Sequence, residues 1–234
     1  MIALALVPLA GLGWHGFAAV LLAYAGIAAV ILAGLGHHAP HQRFGPANRV
    51  TLVRAAFAAL LVGVLAAGVR LGEAGRWGLV AAGTVALLLD GIDGWAARRS
   101  GLASPFGARF DMESDALFVL ALSALVYRAG QADAWVLTAG LMRYIFVAAG
   151  RLWPPLAAPL PPSQRRKAVC VILIVALLAA LAPPVGPMAA RWLCFGGLVL
   201  LTYSFGADCL RLAARGWRAG ARLTGDEAWG NDQI

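Results

Sequence analysis

The chain has 234 residues, 61% of them hydrophobic and 13% charged, with 19 Lys and Arg against 11 Asp and Glu for a formal net charge of +8. A mean hydropathy of +0.78 excludes an ordinary soluble domain, because several stretches approach the roughly 20 apolar residues that cross a bilayer. The basic excess reads as attraction to anionic headgroups rather than to a duplex, since no soluble basic domain is available to hold nucleic acid.

Residues 1–36 form an N-terminal hydrophobic extension, one span (Trp14–Gly36) or a hairpin if residues 1–13 are included. No Lys or Arg precedes residue 43, which disfavours a cleavable signal peptide with a basic start. His37, His38 and His41 cluster beside Pro40 and read as a solvated turn rather than a metal site. Six further spans follow: Val50–Val69, Trp77–Ala97, Phe110–Tyr127, Trp135–Val147 extended to Trp153, Ala168–Leu181 and Trp192–Leu212. Proline-rich breaks separate them, notably Pro154 to Pro162 and Pro183 to Pro187. Residues 216–234 are a polar, Gly-containing tail, expected to form a short surface helix followed by disorder. Cys170, Cys194 and Cys209 have no metal-ligand spacing and read as small buried hydrophobes. The fold class expected is all-α: a polytopic membrane helical bundle with a six-span core plus the N-terminal extension.

Charge sets the orientation. Arg43, Arg49, Arg54, Arg98, Arg99, Arg109, Arg151, Arg165, Arg166, Lys167, Arg211, Arg215, Arg218 and Arg222 fall at one side. Arg70, Arg76, Arg128 and Arg191 fall at the other, with Arg143 inside a span. The positive-inside rule places the larger group in the cytoplasm. An integral, multi-pass protein is expected, and tryptophans near span ends, such as Trp77, Trp153 and Trp192, fit an interfacial belt.

Against this apolar background, the acidic segment from Asp90 to Asp115 stands out. It reads DGIDGWAARRSGLASPFGARFDMESD, or D-x2-D-G-x2-A-R-x8-G-x3-D-x3-D. Asp90 and Asp93 are i, i+3, and Asp111 and Asp115 are i, i+4, so each pair projects from one helix face. The connection Arg99 to Phe106 is short enough for an antiparallel helical hairpin, which lets the four carboxylates converge. Acidic groups within a bilayer cost about 2.5–3.5 kcal/mol each on insertion scales, so their default reading is functional. Four converging carboxylates call for cations. An all-oxygen set selects Mg²⁺ or Mn²⁺, and two such ions suit phosphoryl transfer. Arg98 can hydrogen-bond a diphosphate. Small residues at Gly94 and Ala97 serve either close ligand approach or plain helix packing, and Gly107 marks entry to the next helix.

The pattern resembles the CDP-alcohol phosphotransferases, membrane enzymes that join a CDP-linked lipid to a small alcohol with release of CMP. Asn48-Arg49-Val50-Thr51-Leu52-Val53-Arg54 is similar to the N-x2-T-x2-R stretch that opens the first core helix of that family. The resemblance covers residues 48–215. It implies that Asp90, Asp93 and Asp111 are metal ligands, with Asp115 as general base and also a ligand. It further implies a nucleotide and donor site built from Asn48, Thr51, Gly94, Ala97, Arg98 and Gly107, although helix capping is an equal reading of Asn48. The implied donor is CDP-diacylglycerol, and the implied partners are that lipid, a small alcohol and the bilayer, with a homodimer left open.

Arg143 and Arg151 resemble the paired arginines of phosphatidylglycerophosphate synthases, but Tyr144 stands where those enzymes usually carry Glu. With Arg165, Arg166 and Lys167 they outline a pocket for a phosphorylated acceptor such as glycerol 3-phosphate, ahead of inositol phosphate, inositol, serine or choline. Positive-inside bias explains the last three basic residues as readily. Two other classes compete: a membrane prenyltransferase, which also pairs Asp motifs with Mg²⁺, and a non-enzymatic ion transporter with midplane carboxylates. The prenyltransferase does not demand Gly94, Ala97, Arg98 and the spacing to Gly107. The transporter does not demand carboxylates at one membrane face.

Overall fold

The computed structural model describes residues 13–34, 46–69, 71–100, 105–153 and 163–229. Seven helices account for nearly all of them: α1 (Gly13–Gly34), α2 (Pro46–Ala67), α3 (Glu73–Ser100), α4 (Pro105–Arg128), α5 (Leu137–Leu152), α6 (Gln164–Leu181) and α7 (Pro187–Trp229). A 3₁₀ turn, Ala134–Val136, leads into α5. No strand occurs among the described residues, so the expected all-α bundle is what forms. Pro46, Pro105 and Pro187 each open a helix, where the missing N–H is no loss and the fixed φ suits the first turn. The histidine cluster and the 154–162 proline segment lie outside the described residues.

Among the described residues, three stretches are long and apolar enough to cross a membrane: Asn48–Ala67, Ala134–Leu152 and Pro187–Ala213. Large apolar side chains such as Leu22, Leu88, Met188, Trp192 and Leu210 are exposed around the bundle. On a soluble monomer so much exposed apolar surface would be a liability, whereas on a membrane protein it is the face that lipid covers.

The interior runs along α2, α4 and α6, where Leu61, Leu122, Val126, Leu173 and Leu177 are fully buried. Close approach depends on small residues. Gly140 of α5 lies so near Leu120 that a Cβ would strike that residue's backbone, so α4 and α5 meet at a distance only glycine permits. The extension is joined to this core: Ile27 of α1 packs with Ala55, Ala59 and Phe110.

Helix ends opposite the acidic segment are closed by specific bonds. Gly130 has φ +68°, and the amides of Gly130 and Gln131 donate to the carbonyls of Tyr127 and Val126, which terminates α4 in a Schellman motif. Arg128 donates to the Leu65 carbonyl at 2.8 Å, and Arg76 to those of Leu181 and Ala182 at 2.9 and 3.3 Å. These arginines, in the minority by the charge count, thus cap the C-termini of α2 and α6, where a cation also meets the helix dipole favourably.

α7 runs through Gly216 to Trp229, so the helix expected in the tail is continuous with the last span. One glycine costs about 1 kcal/mol in a helix, and the flanking Ala, Arg and Leu residues are strong helix formers. Among the described residues α2 and α6 each pack against both α3 and α4. Lateral support for the acidic groups therefore comes from neighbouring helices.

Candidate functional site

Asp90 lies in the last third of α3, and Asp111 and Asp115 lie in the first turns of α4. One oxygen from each comes within 4.8 Å of the others, in a partly buried setting. The i, i+4 spacing puts both α4 carboxylates on one face, and that face meets Asp90. Asp93 shares α3 with Asp90, but its side chain, with those of Gly94, Ala97 and Arg98, lies outside the described side chains. Three of the four expected carboxylates are thus brought together. Oxygen-only donors partly shielded from water fit a hard divalent cation such as Mg²⁺ or Mn²⁺.

Arg54 reaches into this cluster from α2. Its Nη1 lies 2.9 Å from Asp90 Oδ1 and 2.7 Å from Asp111 Oδ1, while Nη2 contacts Asp115 Oδ1. Only 6% of its side chain is exposed, so the guanidinium offsets carboxylate repulsion in a poorly hydrated place where that attraction is strong. In the sequence, Arg54 ends the N-x2-T-x2-R stretch and counts among the charges that set the orientation, with nothing along the chain to pair it with the acids. An arginine two turns into an apolar helix, at the same membrane level as the acids, was the signal that could have identified it.

Thr51 and Asn48 precede Arg54 by one and two turns and are both buried. Asn48 Nδ2 has no hydrogen-bond partner among the described residues, a costly state that an acceptor-rich ligand would relieve. Gly107 occupies the first turn of α4, one turn before Asp111.

The basic residues divide into separate groups. Arg143 of α5 donates from Nη2 to Glu113 Oε1 of α4 at 2.5 Å, so it has an acidic partner on the neighbouring helix. Its Nε is buried without a partner among the described residues. Arg165 donates to Asp208 Oδ1 at 2.5 Å and to the Ser204 carbonyl at 3.2 Å, and Arg166 reaches Asp208 Oδ2 at 3.4 Å. Asp208, with 4% of its side chain exposed, thereby ties the start of α6 to α7. Lys167 follows them at the end of the first turn of α6. Cys170, one turn later, is partly buried. Arg151 is exposed in the last turn of α5.

Glu113 and Asp208 were not singled out from sequence. Both are acids on largely apolar helices, and each answers an arginine that the charge pattern had already flagged.

The family model described as CDP-alcohol phosphatidyltransferase matches residues 44–203, more than half of the chain, and includes Asp90, Asp111, Asp115 and Arg54. Neither the curated proteins nor the solved structures contain a match to this chain.

Proposed function

Since the chain belongs to the CDP-alcohol phosphatidyltransferase family, we propose that it transfers a phosphatidyl group from CDP-diacylglycerol to a phosphorylated small alcohol, releasing CMP. Membership makes it a membrane transferase of phospholipid synthesis. The finer reading rests on one observation, the convergence of Asp90, Asp111 and Asp115 about a buried arginine within the matched segment. A membrane prenyltransferase or an ion transporter gives no account of that match.

Asp90, Asp93, Asp111 and Asp115 would hold divalent cations, two by charge balance, whose chemistry is to neutralise the donor diphosphate and ease departure of CMP. Asn48 and Thr51 hydrogen-bond the donor nucleotide, with Arg98 on the diphosphate and Gly94, Ala97 and Gly107 leaving room for it. Asp115 accepts the proton of the acceptor hydroxyl as its oxygen attacks the lipid-side phosphorus. The phosphorus–oxygen bond to the CMP phosphate breaks, and CMP leaves with the bonding electrons. Four carboxylates carry −4 and two divalent cations would carry +4, which leaves the −2 of the diphosphate diester for Arg54 and Arg98 to offset. Burial of a highly charged site is tolerable only near that balance.

For the acceptor, Arg143 is the stronger phosphate ligand, because its buried Nε lacks a partner among the described residues. Lys167 opens α6 beside Arg165 and Arg166. Arg151, Arg165 and Arg166 add positive potential around the same end. Glycerol 3-phosphate is the acceptor this arrangement favours. The remaining helices complete a multi-pass bundle with the acidic end in the cytoplasm, consistent with the distribution of Lys and Arg.

The test is purified full-length protein in nanodiscs with labelled CDP-diacylglycerol, Mg²⁺ or Mn²⁺, and a panel of glycerol 3-phosphate, inositol phosphate, inositol, serine and choline. CMP and a phosphorylated lipid product with one of the first two acceptors are expected. Release of CMP only with an uncharged or zwitterionic alcohol would remove the phosphate pocket and leave the family activity intact.

A further inference from the structure

Arg54 makes contacts with the oxygens that a divalent cation would need. Its fork spans Asp90, Asp111 and Asp115, drawing one carboxylate from α3 and two from α4 to a single point on α2. Carboxylate oxygens within 4.8 Å repel one another, and the single charge of a guanidinium offsets only part of that repulsion. Asp90 stands on α3 and the other two acids on α4, helices that α2 and α6 both pack against, and Arg54 is the charge on α2 that reaches all three. A divalent cation such as Mg²⁺ draws carboxylate oxygens closer than a hydrogen bond does, so it and the arginine fork compete for the same three carboxylates.

We propose that Arg54 is a positioning residue that serves as the resident counter-ion of the metal site. It keeps the three carboxylates converged before metal enters and gives up part of those contacts when a divalent cation loads. The inference rests on the metal-dependent reading above. Its consequence is a pair of opposed effects: Arg54 stabilises the metal-free protein and weakens metal affinity. An arginine that merely built the site would support both.

The experiment uses the full chain in nanodiscs, with Arg54→Met and Arg54→Lys beside the wild type. Mn²⁺ affinity is read from the electron paramagnetic resonance signal of free Mn²⁺, and thermal unfolding is followed in EDTA and in saturating Mn²⁺. In EDTA, Arg54→Met is expected to melt several degrees below wild type, with most of the gap closing in Mn²⁺. Its Mn²⁺ affinity should rise by about tenfold or more, because a unit positive charge has left the ligand shell. Lysine keeps the charge but cannot bridge three carboxylates, so Arg54→Lys should bind Mn²⁺ a few-fold tighter than wild type. Should Arg54→Met fail to fold, Arg54→Lys carries the same comparison. Mn²⁺ binding in the folded variants equal to or weaker than wild type, or an unchanged melting temperature in EDTA, overturns the role of Arg54 alone. Absence of Mn²⁺ binding by the wild type overturns the metal-dependent reading and this inference with it.

Discussion

Glu113 of α4 accepts a 2.5 Å hydrogen bond from Arg143 of α5, although Glu113 sits in sequence midway between Asp111 and Asp115. Two residues along an α-helix turn a side chain by about 200°, so Glu113 projects away from the face that the two aspartates share. The segment Asp111-Met112-Glu113-Ser114-Asp115 therefore serves two purposes. One face supplies acids to the cluster around Arg54, and the other anchors a basic side chain of the next helix. The arginine needs that partner, because an unpaired guanidinium within an apolar bundle is costly.

Asp90→Asn and Asp111→Asn each remove a negative charge and a hard oxygen ligand from the cluster. Product formation should fall by at least about 100-fold and Mn²⁺ binding should weaken, while the protein stays monodisperse in detergent. Labelled CMP release and Mn²⁺ titration check the two effects separately. Wild-type turnover in either variant would rule out metal binding by these residues.

Asp115→Asn should behave differently, since a proton acceptor is needed in the chemical step more than in docking. Turnover is expected to drop by about 100-fold or more, with binding of the CDP-lipid largely retained. Equilibrium binding of a labelled donor, run beside single-turnover kinetics, makes the distinction. Loss of donor binding with metal occupancy unchanged would reassign Asp115 to the donor site.

Arg143→Lys tests the acceptor pocket. Lysine keeps the ion pair with Glu113 but not a fork able to hold Glu113 and phosphate together, so the KM for glycerol 3-phosphate should rise by about tenfold or more. The KM for the CDP-lipid should barely change. Saturation kinetics with each substrate varied in turn decide it, and an unchanged acceptor KM would confine Arg143 to pairing α5 with α4.

Asp208→Asn leaves Arg165 and Arg166 at the base of α6 without their shared anion. Both arginines are partly exposed, so the cost should fall below that of a fully buried broken pair, at about 2–3 kcal/mol. Thermal unfolding in nanodiscs should register this as a drop of several degrees. No change would mean that water replaces Asp208 freely.

Gly140→Ala places a methyl group against the Leu120 backbone, which cannot move aside as a side-chain tip can. Separation of α4 from α5 should cost about 1–3 kcal/mol. Because Arg143 lies one turn beyond Gly140, the Glu113 contact should loosen too, and the acceptor KM should rise together with the loss in melting temperature. Wild-type stability would show that the two helices separate without strain.

By itself, the sequence determined the helical class, the location of the seven helices to within a few residues over most of their ends, and the identity of the acidic residues. Those features follow from local causes: apolar runs of spanning length, prolines at helix starts, and acids whose i, i+3 and i, i+4 spacing assigns them a face. Partners that meet across helices were decided only by the tertiary structure. Arg54 lies 57 residues from Asp111, Glu113 lies 30 from Arg143, and Asp208 lies 43 from Arg165, separations at which spacing along the chain says nothing about contact. The pairing of Arg165 and Arg166 depended on it as well. A run of three positive charges looks uniform in sequence, but packing brought the first two to Asp208 of α7.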